Sequence, residues 1–205
     1  ASDVYKRQML LPVVDVSGSM GCTAGNNPNV TCLDVAISLG LYISERNEGA
    51  FKDSFITFSE KPQLQVLKGS LTERYKQLAG ADWGMSTNIQ SVFTTILKSA
   101  VSNNVPATEM PTMILILSDM EFNQGTRDNW NKTAQEIFES EYAEAGYKMP
   151  KIVYWNIHAR NDNFPVKFNK EGVGLVSGFS PSLLGSILSG KDLTPYSICL
   201  LYTSD

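Results

Sequence analysis

The chain has 205 residues, of which 42% are hydrophobic, with 17 Lys and Arg against 21 Asp and Glu and a single His. That length suffices for one domain with a sizeable core, and a formal net charge of −4 gives no electrostatic reason to bind nucleic acid or an anionic membrane surface. No apolar run approaches the roughly 20 residues that span a bilayer and no secretory leader is visible, so the expectation is a cytoplasmic protein without membrane contact.

Residues 1–8 and 199–205 match translations, in opposite orientation, of the adapter carried by transposon-based sequencing libraries. They are expected to be scars rather than structure. One domain is therefore expected over residues 9–198, as a fragment of a longer protein.

Residues 10–16 form a short apolar run rich in β-branched side chains, as a strand buried on both faces does. Leu33, Ala36, Ile37, Gly40 and Leu41 follow at helical spacing. Residues 51–59 alternate as a strand, and residues 63–67 are expected to pair beside it. Ile89, Val92, Phe93, Ile96, Leu97, Ala100 and Val101 mark one face of an amphipathic helix, with Thr87 placed to cap it. Residues 113–117 form a second strand buried on both faces, and Trp130, Ala134, Ile137, Phe138 and Tyr142 mark a face of another helix. Residues 151–157 and 173–177 are further strands. Ser180 and Pro181 open a last helix through Leu183, Leu184, Ile187 and Leu188. The alternation predicts an α/β fold, doubly wound, with a mainly parallel sheet and helices on both faces.

The informative motif is Asp15-Val16-Ser17-Gly18-Ser19, at the end of the first strand. A carboxylate and two hydroxyls at i, i+2 and i+4, on a turn leaving a buried strand, present three hard oxygen donors to one point, which suits Mg²⁺. The bland alternative is a strand-end Asp followed by an ordinary Ser-Gly-Ser turn. Two further residues argue against it. Thr87 lies in the loop that opens the helix starting near Ile89, and Asp119 follows the strand starting near Met113. In an open α/β sheet, ligands bind beyond the carboxyl ends of the strands where the strand order reverses. If the strands ending at Asp15 and Asp119 are neighbours there, both carboxylates face one crevice.

This spacing resembles the metal-ion-dependent adhesion site of von Willebrand factor A domains, Asp-x-Ser-x-Ser followed by a distant Thr and a distant Asp. The resemblance implies a metal site of Asp15, Ser17, Ser19, Thr87 and Asp119. Ser17, Ser19 and Thr87 would bind through hydroxyls, and Asp15 and Asp119 directly or through water. It implies Mg²⁺ or Mn²⁺ as the cofactor, with an open coordination position. The segments around Asp15, Thr87 and Asp119, with Tyr154-Trp155-Asn156 and Val176-Ser177-Gly178-Phe179-Ser180-Pro181, are together similar to the C-terminal domain of an uncharacterised family distantly related to the Ro (TROVE) RNA-binding proteins. In that family a helical region precedes the A-type domain.

Three functions follow as expectations. The first is a metal-dependent protein-binding module, not an enzyme, whose protein partner supplies an Asp or Glu carboxylate to the cation. The second is an RNA-associated, Ro-like protein whose nucleic-acid surface lies in a helical region outside this chain. The third, a metal-dependent phosphohydrolase, is disfavoured, because the haloacid-dehalogenase-like phosphatases need a second acid two residues after the first and Ser17 stands there. No P-loop and no Gly-x-Ser-x-Gly elbow is present. Asp82, Trp83 and Glu121 are candidates for the rim of the crevice, with solvated loop side chains as the plainer reading of the two acids. His158 reads as a strand-end histidine. Cys22 and Cys32 could close a disulfide or stand as a reduced pair, and two cysteines make no secreted framework, which favours the reduced form.

Overall fold

The computed structural model describes residues 9–24, 28–59, 61–81, 88–119, 132–158 and 173–177. Six strands are described: β1 (Leu10–Asp15), β2 (Ser54–Phe58), β3 (Leu64–Val66), β4 (Met113–Ser118), β5 (Lys151–Asn156) and β6 (Val173–Ser177). Four α-helices accompany them: α1 (Cys32–Arg46), α2 (Leu71–Ala79), α3 (Ile89–Ser102) and α4 (Lys132–Glu144). The strands form one sheet in the order β3-β2-β1-β4-β5-β6. Every pairing is parallel except β2 with β3. The fold is the expected doubly wound α/β domain.

The period of two along each strand explains its continuous apolar run. In β1, Leu10 and Val14 enter one core layer and Leu11 and Val13 the other. In β4, Met113, Leu115 and Leu117 oppose Ile114 and Ile116 in the same way; in β5, Val153 and Trp155 oppose Ile152 and Tyr154. The first layer is shared with Ala36, Ile37 and Ile43 of α1, the second with Val92, Phe93 and Ile96 of α3 and Phe138 and Tyr142 of α4. Phe93 joins the two helices, with its ring 5.7 Å from that of Phe138 and 6.1 Å from that of Tyr142. The Tyr142 hydroxyl donates to the Phe93 carbonyl at 2.9 Å. On the other face, α1 lies so close to β1 that a Cβ on Gly40 would stand 2.9 Å from Val14 Cγ2, so this glycine is required for the approach.

Several expectations are corrected. The strand expected over residues 51–59 is shorter, because Gly49–Phe51 forms a 3₁₀ turn and Asp53 takes a left-handed conformation (φ 55°) that extended backbone cannot continue. Nor does β2 alternate in exposure, since all five residues are buried. Val101 and Ile137 are 51% and 52% exposed. The inward stripes are narrower than the spacing implies: Ala134, Phe138 and Tyr142 form one i, i+4 row, and Ile137 lies a residue's rotation of about 100° outside it. The cap of α3 is Asn88, whose Oδ1 accepts from the Ser91 N–H at 3.1 Å, and not Thr87. The helix α2 was not foreseen. Trp130 and the helix expected after Pro181 lie outside the described residues.

Candidate metal centre

The chain runs from β1 through β2 to β3 on one side of the sheet, then returns to β4 beside β1 and continues to β5 and β6 on the other. The β1/β4 seam is thus the point where the strand order reverses, and the carboxyl ends of both strands open there. The pairing of Val14 with Leu117 puts Asp15 next to Ser118, and the Ser118 hydroxyl donates to Asp15 Oδ2 at 2.6 Å. Asp119 is the residue after β4.

The turn leaving β1 is held by the motif itself. Asp15 Oδ1 accepts from the Ser17 N–H at 2.9 Å, an Asx-type turn. Gly18–Gly21 then forms a 3₁₀ turn, with the Met20 N–H donating to the Ser17 carbonyl at 3.1 Å and the Cys22 N–H to the Ser19 carbonyl at 3.1 Å. The Ser17 side chain makes no capping hydrogen bond; its hydroxyl lies 3.0 Å from that of Ser19. Met20 is fully buried and its Sδ accepts from the Asp119 N–H at 3.2 Å, tying the turn to the end of β4.

The structure therefore brings together four of the five expected ligands, Asp15, Ser17, Ser19 and Asp119. Thr87 lies outside the described residues, as do Asp82, Trp83 and Glu121. His158 follows β5, where its N–H donates to Asn156 Oδ1 at 3.1 Å, in keeping with a strand-end role. Two contributors were missed from the sequence, Ser118 and Met20. The parallel register would have paired Ser118 with Asp15, but a methionine sulfur accepting a backbone N–H leaves no sequence signal.

The electrostatics suit a divalent cation. Asp15 and Asp119 are 3% and 1% exposed. Burial pushes the Asp15 carboxyl above its ordinary pKa, against the hydrogen bonds from Ser118 and Ser17 that favour the carboxylate, and the Asp119 charge pushes it further up. Two buried acids on adjacent strand ends are costly unless a cation offsets them. Two oxygens on one edge of a Mg²⁺ octahedron, at about 2.1 Å from the ion, stand about 3.0 Å apart, whereas around Ca²⁺ the same edge exceeds about 3.2 Å. The Ser17 and Ser19 hydroxyls, hydrogen-bonded to each other at 3.0 Å, are close enough to share one edge of such an octahedron. Among the described residues no group of three or more His, Cys, Asp or Glu side chains is placed to hold a metal.

Cys22 and Cys32 flank this turn as free thiols, with Sγ atoms 3.1 Å apart. Burial, the Cys22 thiol and the Asp119 charge push the Cys32 thiol up to about 12.

The fold is a doubly wound α/β fold of the von Willebrand factor A-like kind. The chain belongs to the family described as a domain of unknown function, DUF7788, whose model matches residues 10–196. It is 38% identical over 190 residues to uncharacterized protein L728 of Acanthamoeba polyphaga mimivirus, across 92% of this chain and 32% of that protein. Among solved structures it is similar to the Ro (RSR) protein of Deinococcus radiodurans, with a TM-score of 0.60 and 18% identity, over 90% of this chain and 35% of that one. It is also similar to the conserved hypothetical protein BatB from Bacteroides thetaiotaomicron, with a TM-score of 0.50 and 14% identity, over 95% and 98% of the two chains. The chain thus spans about a third of the length of both the viral relative and the Ro protein. No described helix is long and apolar enough to cross a membrane.

Proposed function

We propose that this domain is a Mg²⁺- or Mn²⁺-dependent protein-binding module, in which the cation recruits a carboxylate from a partner protein. The observation that carries this reading is the pair of buried carboxylates, Asp15 and Asp119, at adjacent strand ends beside the turn that bears the Ser17 and Ser19 hydroxyls. Asp15, Ser17, Ser19 and Asp119 would hold the ion, with Thr87 as the fifth ligand. Two negative charges balance the cation, and the remaining neutral donors leave it electrophilic toward an anionic oxygen.

The domain is not an enzyme in this reading. Ser17 and Ser19 hold no proton that they could transfer at neutral pH as a carboxylic acid does, so the phosphohydrolase alternative lacks its general acid. A second reading, association with RNA as part of a larger Ro-like protein, draws on the fold shared with the Deinococcus radiodurans Ro protein. In that reading the acidic balance of this chain favours an RNA contact through other parts of the larger protein.

The test is calorimetric titration of the intact chain with Mg²⁺ and Mn²⁺, beside the Asp15→Ala variant. One site is expected in the parent protein and none in the variant, with the fold retained by circular dichroism. Equal affinity in both proteins would overturn the assignment.

A further inference from the structure

The segment after the metal turn folds back on itself. Thr23 bridges Thr31 in antiparallel fashion, with the Ala24 N–H donating to the Val30 carbonyl at 2.8 Å and the Cys32 N–H to the Cys22 carbonyl at 2.9 Å. Cys22 and Cys32 are thereby directly opposite each other. Their sulfurs already face each other at 3.1 Å, about 1 Å beyond the length of a disulfide bond, so side-chain rotation brings them most of the way to bonding.

The pair is also asymmetric in access. Cys22 is half-buried on the turn, whereas Cys32 is fully buried as the first residue of α1. An incoming reagent reaches Cys22 first. Cys22 is also tied to the metal turn, because its N–H donates to the Ser19 carbonyl.

We propose that Cys22 and Cys32 are a site of reversible disulfide formation, and that the bond clamps the turn carrying Ser17 and Ser19 to the start of α1, tightening the metal centre beside it. The oxidant is a low-molecular-weight disulfide of the glutathione class. The Cys22 thiolate attacks one sulfur of the oxidant and expels one thiolate. The Cys32 thiol then loses its proton and attacks the Cys22 sulfur of the mixed disulfide, expelling the second thiolate. Two protein thiols are oxidised, one disulfide is reduced, and the two released thiolates take up the two protons. The effect on the metal rests on the metal-binding reading above, while the thiol chemistry stands without it.

The experiment treats the intact chain carrying Cys199→Ser, so that only this pair can react, with oxidised glutathione. Mass spectrometry is expected to find the chain lighter by two hydrogen atoms, with Cys22 and Cys32 in one linked peptide, reversed by dithiothreitol. Closing a loop of about ten residues is expected to raise the unfolding midpoint by roughly 5 °C. Mg²⁺ is expected to bind roughly threefold tighter to the oxidised form, because the clamp removes motion that binding would otherwise freeze. The Cys22→Ser variant, altered at the more accessible position, should show none of these changes.

Accumulation of glutathione on Cys22 without ring closure, or two unreacted thiols, would overturn the site. A closed disulfide with unchanged Mg²⁺ affinity would overturn its role at the metal. Absence of metal binding in both forms would instead count against the metal centre itself, and mass and melting would still decide the thiol chemistry.

Discussion

The Ser118 hydroxyl, 2.6 Å from Asp15 Oδ2, occupies one oxygen of the carboxylate, and the Ser17 N–H occupies the other. Asp15 is therefore aimed before any ion arrives. Partners of this kind, which orient a ligand without touching the metal, commonly contribute 10- to 100-fold in affinity. Ser118→Ala is accordingly expected to weaken Mg²⁺ binding by roughly tenfold, less than the complete loss expected for Asp15→Ala, when both are titrated calorimetrically. An unchanged affinity would show that the turn alone orients Asp15. At this scale the sequence was informative where the donors lie close along the chain, as in Asp15, Ser17 and Ser19, or at an obvious strand end, as in Asp119. Ser118 becomes legible only once the register between β1 and β4 is known, and Met20, which acts through a buried contact across it, leaves no signal in the sequence.

The start of α1 anchors the far side of the metal turn. The Thr31 hydroxyl accepts from the Asp34 N–H at 3.1 Å, and Asp34 Oδ2 accepts from the Thr31 N–H at 2.9 Å, a complete capping box. These bonds hold the Asp34 carboxyl below its ordinary pKa, with the Thr31 backbone as the largest cause and further help from its hydroxyl and from the Tyr75 hydroxyl. Because the folded-state value is lowered, the stabilisation is present above the unfolded value near pH 4 and is lost as pH falls through the folded one. Thr31→Ala is expected to cost about 1 kcal/mol in chemical denaturation at neutral pH, with a smaller difference from the parent protein in acid. A pH-independent difference would place the effect in the hydroxyl alone. The same signature could have revealed α2, since Ser70 and Glu73 form a second capping box. That helix escaped notice because it is only nine residues long and mostly polar, with Leu78 alone buried, so it offers no run of apolar residues to mark it. The long runs of β1, β4 and β5 and the stripe of α3 were legible because burial on both sides of the sheet demands them. The ends of β2 were not, because a left-handed Asp53 sets where the strand begins.

For the molecule as a whole, the consequence of the strand order is that two buried carboxylates, Asp15 and Asp119, lie at the β1/β4 seam beside the turn that bears the Ser17 and Ser19 hydroxyls. A cation seated there and ligated mainly by neutral oxygens keeps much of its charge, and a hard ion in that state prefers water or a carboxylate to any neutral group. Mn²⁺ makes this preference measurable, since water exchanging on the bound ion enhances proton relaxation of the solvent. The enhancement is expected to be large for the parent protein with Mn²⁺, absent for Asp15→Ala, and quenched in a saturable manner by an acidic peptide. A peptide of equal length with Asn and Gln in place of Asp and Glu should leave it unchanged. If the bound Mn²⁺ gives no enhancement, its shell is closed and the ion is structural. If acidic and amide peptides quench alike, the open position does not select carboxylates, and the partner must be recognised by the surrounding loops rather than by the ion.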